Sequence, residues 1–301
     1  MTAYIVCVTF IGAGHGMKEA LFYEKLDNSK VRCMLCPHEC VLSQDGTGVC
    51  RARRNTDGCL HSLNYSCVTS VALDPIEKKP LYHFHPGSMI LSAGTFGCNF
   101  KCSWCQNWTI AHTDARTMEL TPAGLADLAR QYASRGSIGV AYTYNEPSIW
   151  YEFIHDAARL VREQGFVNVL VTNGFINIEP LEQLLPYIDA MNIDVKAFTE
   201  EFYSKYCKGA LSSVMNTVER AARSCHVEIT TLIIPGLNDS SGEIERLASW
   251  LASISPDIVL HLSRFFPAYR MNDIIPTPRE TLENARNVAL LHLRHVYLGN
   301  I

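Results

Sequence analysis

From residue 89 onward, short apolar runs alternate with longer amphipathic stretches, and this rhythm narrows the fold more than any other feature. The runs Met89–Ser92, Ile138–Thr143, Val167–Thr172, Ala190–Val195, Val227–Ile234, Ile258–Leu262 and His295–Leu298 are rich in Val, Ile and Leu and nearly continuous in hydrophobicity. Strands buried on both faces read this way, and such strands belong to parallel sheets covered by helices. The intervening stretches carry helix signals. Thr121-Pro122 places a capping residue and a first-turn proline ahead of the stripe Leu125, Leu128, Ala129, Tyr132. Pro147 opens a helix predicted to reach about Gln164, and Gly165 ends it. Ser240–Ser241 precedes Ile244, Leu247, Ala248 and Leu251. Repeated strand–helix units with right-handed crossovers predict an α/β fold: a partial or nearly closed parallel (β/α) barrel. A doubly wound sheet is the alternative, but no glycine-rich phosphate fingerprint follows the first strand.

The barrel domain is expected over residues 89–301. Residues 17–88 are expected to form a small cysteine-rich module, poor in long apolar runs and closing with the segment DPIEKKPLYHFHPGS, Asp74–Ser88. The charges of that segment are read as a solvated loop, with a substrate or partner contact over the barrel mouth as the rival. Residues 1–16 are expected to be an N-terminal extension outside the fold. They lack the basic region and cleavage site of a secretory signal. A net charge of -4 gives no reason to expect nucleic acid as a partner. No apolar run reaches membrane-spanning length, so no membrane partner is expected either.

Twelve cysteines are many for 301 residues. Without a secretory signal they are read as reduced thiols in a cytoplasmic protein, used as metal ligands. Seven fall in two groups: Cys33, Cys36, Cys40 and Cys50, and then Cys98, Cys102 and Cys105. The other five, Cys7, Cys59, Cys67, Cys207 and Cys225, are read as buried or incidental thiols. Four thiolates in the first group saturate a tetrahedral zinc or complete an iron–sulfur cluster, and the spacing does not choose between them. His38, between Cys36 and Cys40, is a further candidate ligand, and a metal-free loop is the remaining reading. The second group follows the first barrel strand, where barrels of this kind carry their chemistry. Structural zinc and electron-carrying clusters usually take four protein ligands. Three thiolates on a tight loop leave one iron open to bind substrate.

The second group, within SAGTFGCNFKCSWCQN (Ser92–Asn107), has C-x3-C-x2-C spacing with an aromatic, Trp104, before the last cysteine. It resembles the signature of the radical S-adenosylmethionine (SAM) superfamily. The resemblance implies a [4Fe–4S] cluster on Cys98, Cys102 and Cys105, whose open iron chelates SAM, with Trp104 near the adenine. It also implies roles for residues at successive strand ends. In YTYNEP, Glu146 matches the carboxylate that holds the SAM ammonium, while Tyr144 and Asn145 replace two glycines of the family's turn. Asn173 of TNG is a ribose contact. Asp194 and Lys196 of IDVK address the ribose and the carboxylate of SAM. The turn Ile233–Asp239 cradles the adenine, and His261 and Arg264 face the site. For each taken singly, a capping or turn role is the other reading.

Three segments narrow the resemblance: LCPHEC with GTGVCRARRN, then DPIEKKPLYHFHPGS, then VYLGN. They look like the AmmeMemoRadiSam-system radical SAM group, relatives of the pyruvate formate-lyase activating enzymes. The likeness covers nearly all of residues 17–301 and leaves out the first sixteen, as an over-called start codon would. It implies an enzyme that cleaves SAM to methionine and a 5′-deoxyadenosyl radical, which abstracts hydrogen from a substrate, with a glycyl radical protein as one candidate. It also implies an electron donor such as flavodoxin or ferredoxin. A small molecule or peptide is the alternative substrate. An iron–sulfur carrier or regulatory module without SAM turnover is the alternative of another class.

Overall fold

The computed structural model describes residues 18–301 and the backbone of Tyr4–Ile5. Of the expected extension, residues 1–16, only the backbone of Tyr4–Ile5 is described, and it pairs into the central sheet rather than standing outside the fold; Cys7 and the rest lie outside the described residues.

All seven expected strands are present and lie side by side. The central sheet contains β1 (Ser70–Pro75), β2 (Met89–Gly94), β3 (Ser137–Tyr142), β4 (Val167–Thr172), β5 (Ala190–Asp194), β6 (His226–Ile233), β7 (Val259–Arg264) and β8 (Val296–Gly299). Strands β2 to β8 are parallel and pair in chain order, while β1 runs antiparallel along β2 and Tyr4–Ile5 along β1. The sheet does not close on itself among the described residues, so the architecture is an open, partial barrel. Strand β1 arises from a stretch too short and too mixed in polarity to stand out by periodicity. It joins through its backbone, covering the edge that β2 would otherwise expose.

Among the described residues, six helices of seven residues or more connect or follow the strands: α1 (Pro122–Tyr132), α2 (Tyr151–Glu163), α3 (Ile178–Leu184), α4 (Leu211–Ala221), α5 (Ser241–Ile254) and α6 (Arg279–Ala289). The expected caps act as such. Thr121 Oγ1 accepts from the Gly124 N–H at 3.0 Å, and Ser240 Oγ from the Glu243 N–H at 3.3 Å. Before α2, Pro147 begins a 3-10 turn, and the Glu146 side chain accepts the Ser148 N–H at 2.9 Å. Trp150 ends that turn, stacked on Phe153 with ring centroids 4.0 Å apart. No helix among the described residues is long and apolar enough to cross a membrane.

The segment after β1 crosses beneath the N-terminal ends of the strands and forms a floor to the barrel. Asn192 Nδ2 donates to the Pro80 carbonyl at 2.9 Å. Glu228 accepts the N–H groups of Tyr82 and His83 at 2.9 and 2.7 Å. Leu81 is buried, and the Tyr82 ring packs on His261 and Tyr297 at 4.6 and 5.0 Å. The expectation of a solvated loop holds for Lys78 but not for Asp74 and Lys79, each 4% exposed. Those two neutralise one another at 2.8 Å, and that pairing is what makes their burial tolerable.

Residues 18–62 build two small three-stranded antiparallel sheets against the barrel. A buried ion pair fastens them there. Arg53 Nη2 lies 2.6 Å from Glu152 Oε1 on α2, and both side chains are 1% exposed. The same oxygen accepts the Leu21 N–H at 2.8 Å, and Arg53 Nη1 donates to the Leu21 carbonyl at 3.0 Å. A second attachment joins the Asn177 N–H to the Leu35 carbonyl at 3.0 Å. A third needs glycine. Gly97 has φ +89°, and a β-carbon there would stand 2.4 Å from the Cys50 carbonyl oxygen.

Candidate active site

The strand ends open into a cavity of about 610 Å³. The loop after β2 brings Cys98, Cys102, Trp104 and Cys105 to its wall, and the loops after β3, β4 and β5 bring Glu146, Asn173, Asp194 and Lys196. Residues spread over almost a hundred positions thus meet because parallel strands present all their C-terminal ends on one side.

The cysteine loop is held by side-chain amides. Asn145 accepts the Thr95 N–H at 3.2 Å and donates to the Gly97 carbonyl at 2.9 Å. Asn99 donates to the Phe175 carbonyl at 2.8 Å and accepts from Asn173 Nδ2 at 2.9 Å. Asn173 Nδ2 also reaches Cys98 Sγ at 3.9 Å, and the Phe100 N–H donates to the same sulfur at 3.4 Å. Burial pushes the Cys98 thiol well above its ordinary range, with nearby Glu146 and Cys102 adding to it. A hydrogen bond with Cys207, together with burial, does the same to Cys102, and burial carries Cys105 up to about 11. Three thiols facing one cavity and opposing one another's ionisation are a donor set that a multivalent, thiolate-seeking group satisfies. N–H···S contacts such as those to Cys98 suit a cluster ligand. Among the described residues no three or more His, Cys, Asp or Glu side chains are arranged to hold a single metal ion.

Residues 93–251 match the family model described as the radical SAM superfamily. The uncharacterized protein MJ0808 of Methanocaldococcus jannaschii is 43% identical over 291 residues, which is 95% of this chain and 86% of that one. The chain belongs to the radical SAM superfamily. It is therefore an enzyme of that class, whose members carry a [4Fe–4S] cluster and use SAM. The pyruvate formate-lyase-activating enzyme of Clostridium pasteurianum is 27% identical over 164 residues, 52% of this chain and 67% of that one. The crystal structure of Streptococcus suis SuiB bound to S-adenosylmethionine shares the fold, with a TM-score of 0.55 and 14% identity over 70% of this chain and 51% of that one.

In this radical SAM enzyme the carboxylate of Glu146 already has three partners. Oε1 accepts the Ser148 N–H at 2.9 Å and the Thr172 hydroxyl at 2.6 Å, and Oε2 accepts the Asn173 N–H at 2.7 Å. Burial raises its pKa, and those hydrogen bonds pull it back toward the ionised form. A carboxylate has about four lone-pair sites, so one remains for an ammonium from the cavity. Asp194 and Lys196 pair with each other at 2.8 Å. Burial pulls the Lys196 ammonium down, but Asp194, together with Cys102 and Cys207, more than offsets this and holds it above its usual range. Trp104 is buried against Phe202 at 5.3 Å between ring centroids. The Asn173 side chain is engaged within the protein, since its Oδ1 also accepts the Phe175 N–H at 2.9 Å.

Two expected residues are not brought to the cavity. His261 is the third residue of β7 and binds Glu228 Oε2 at 2.6 Å, in the layer that rests on the floor. Strand β7 continues to Arg264, so the residue that reaches the cavity from it is Ser263, two positions later on the same face. Arg264 donates instead to the Thr277 carbonyl at 2.7 Å. None of Ile233–Asp239, the expected adenine cradle, lines the cavity; that turn is braced by Asn238, whose Oδ1 accepts the Ile234 N–H at 2.7 Å and whose Nδ2 donates to the Lys196 carbonyl at 2.7 Å. His38 contacts the Asn99 carbonyl at 2.7 Å and packs on Phe175.

Sequence reasoning missed Asn99 and the bracing role of Asn145. In the second case a signal was present: an amide standing where the family's turn has glycine. For the charges of Asp74–Ser88 it favoured a solvated loop over a substrate or partner contact, whereas Asp74, Lys78 and Lys79 line the cavity.

Proposed function

We propose that Cys98, Cys102 and Cys105 hold the [4Fe–4S] cluster and that this enzyme abstracts a hydrogen atom from its substrate in the manner of an activating enzyme. The observation carrying this reading is the convergence of three thiols from one loop on a cavity that also presents Glu146, Asp194 and Lys196. A [4Fe–4S] cluster held there, once reduced by a donor such as flavodoxin or ferredoxin, would supply the electron for cleavage of SAM to methionine and a 5′-deoxyadenosyl radical, the species that would take the substrate hydrogen. The chain's own residues bind and orient. Glu146 offers its remaining lone pair to the SAM ammonium. Lys196 exchanges part of its pairing with Asp194 for the SAM carboxylate, freeing Asp194 for the ribose hydroxyls. Trp104 gives the adenine an apolar surface. Likeness to the Clostridium pasteurianum enzyme supports a glycyl radical protein as substrate. The test is anaerobic incubation of reconstituted, dithionite-reduced protein with SAM. Methionine and 5′-deoxyadenosine in equal amounts are expected, and their absence overturns the reading.

Substituting Glu146→Gln is expected to weaken SAM binding by about 1.5–3 kcal/mol, as loss of a charge-assisted hydrogen bond does. It also turns an amide N–H toward one of the three donors now facing the carboxylate, so the SAM-free protein loses about 1 kcal/mol. Calorimetry with SAM and a melting curve without it separate the two effects. Equal SAM affinity with lowered stability would make Glu146 a turn anchor alone.

We propose also that Cys33, Cys36, Cys40 and Cys50 bind a metal, zinc or a second cluster, for which their side chains, not arranged around a single ion in this structure, would have to draw together. A β-carbon built on Gly48 would lie 3.7 Å from Cys50 Sγ and 3.9 Å from Cys40 Sγ, so both sulfurs flank one glycine. Residues 32–58 contain few large apolar side chains, and a thiolate site on the order of 10 kcal/mol would offset their ordering entropy. A Cys98/Cys102/Cys105→Ala triple variant, purified anaerobically, is expected to retain about one zinc or about four irons. Retention of neither overturns the assignment.

A further inference from the structure

The cavity has a charged wall that the SAM-directed residues do not use. Asp74 Oδ2 lies 2.8 Å from Lys79 Nζ and accepts the Tyr144 hydroxyl at 3.2 Å, while Asp74 Oδ1 lies 3.3 Å from Lys78 Nζ. Lys79 Nζ also stands over the Tyr144 ring, 5.1 Å from its centroid. All four residues line the cavity. Asp74 pairs with Ile90, four residues before the end of β2, so the group sits roughly 13 Å below the strand ends that carry the cysteines.

Three features set this group apart from a simple fastening. First, two ammoniums share one carboxylate, which leaves a net positive charge of about one facing the cavity. Second, Lys79 is 4% exposed and has three N–H donors, but makes one hydrogen bond among the described residues. A buried ion pair is weak as a source of stability, so stability is a poor reason for it to be here. Third, Tyr144 has φ +74°, a left-handed conformation that costs a non-glycine residue free energy and turns its ring down onto Lys79. A β-carbon on Gly94 would stand 2.9 Å from that ring, so the neighbouring strand leaves space for it.

We infer that Lys79, set by Asp74 and Tyr144 and assisted by Lys78, is the substrate-recognition group of this enzyme and takes an anionic substrate, one presenting a carboxylate to the deep end of the cavity. This deepens the function proposed above and rests on it. The anion completes the charge balance of the wall and fills the open donors of Lys79. It fixes the substrate at a set depth below the cysteine loop, so that the bond to be broken faces the 5′ carbon of SAM. The carboxylate belongs to a free metabolite or to a side chain or C-terminus of a protein; the recognising chemistry is shared.

The test uses the full chain, anaerobically reconstituted, with SAM and dithionite. Deuterated cell extract is split by size into small-molecule and protein fractions, and each is passed over an anion exchanger. Deuterium in 5′-deoxyadenosine is measured against total 5′-deoxyadenosine in the same sample. With wild-type protein, deuterium is expected from a retained, anionic fraction, and the size arm tells which source supplies it. Lys79→Gln is expected to lower the deuterated share at least tenfold, and Lys79→Arg to restore part of it. Because Lys79→Gln strands a buried carboxylate, Asp74→Asn/Lys79→Gln, a neutral pair, is measured alongside, and the same loss is expected. Deuterium from unretained fractions only, or a deuterated share unchanged in the Lys79→Gln and paired variants, overturns the inference. So does a fall in SAM affinity with no change in the share, which would make Lys79 a SAM ligand. Wild-type protein that forms no 5′-deoxyadenosine overturns the proposed function, and this inference with it.

Discussion

Cys98→Ala, Cys102→Ala and Cys105→Ala are each expected to reduce 5′-deoxyadenosine formation to background. A cuboidal cluster on three thiolates has no spare anchor, and losing one leaves two protein ligands for four irons. Iron and acid-labile sulfide should fall together with turnover. The fold should persist, because the loop's amide braces, Asn99 and Asn145, do not involve the cysteines. Iron content, 5′-deoxyadenosine yield and a melting curve on each variant make the check. One variant with an intact cluster and wild-type turnover would remove that cysteine from the ligand set.

The second large effect concerns stability. Arg53→Met is expected to destabilise the protein by about 3–5 kcal/mol, because it leaves the Glu152 carboxylate buried without its cation. Glu152 also accepts the Leu21 N–H, so the loss loosens the attachment of residues 18–62 to α2 as well. In Arg53→Met/Glu152→Leu the stranded charge is gone, and roughly half or more of the loss should return, as when buried pairs are replaced by apolar groups. Urea unfolding of wild type, both single variants and the double variant gives the coupling directly. A loss below about 1 kcal/mol for Arg53→Met would show that water reaches Glu152 and that the junction opens readily.

The barrel was legible because parallel strands covered on both faces must be apolar almost without a break, and the seven runs from Met89 to Leu298 have that character. Ser70–Pro75 escaped notice because a short antiparallel strand beside the sheet's edge needs only backbone pairing and half its side chains buried. The cysteine loop stood out by its spacing, since its three thiols lie within eight residues, and the structure brings all three to one cavity. His261 shows the limit of such reading. Alternation assigns a strand residue to a face, but depth along the barrel depends on where the strand ends. Strand β7 runs to Arg264, so the histidine falls to the layer of Glu228 and Ser263 takes the cavity position. The charges of Asp74 and Lys79 were given the wrong first reading for another reason. In a local window their charges look solvated, and only the pairing across the crossing segment makes burial possible.

The amide braces of the cysteine loop bear on how the enzyme becomes active. Asn99, Asn145 and Asn107, the last through a hydrogen bond to the Tyr144 carbonyl, fix the loop by contacts that need no sulfur. Its ordering entropy is therefore met when the chain folds rather than when iron arrives. In a zinc finger the two events are one, and the free energy of metal binding goes into building the site. Here the amide contacts leave the loop largely preorganised, so on the assignment proposed above more of the free energy of cluster binding would appear as affinity. If Cys98, Cys102 and Cys105 hold the cluster, the site they form would be in place before the cluster binds.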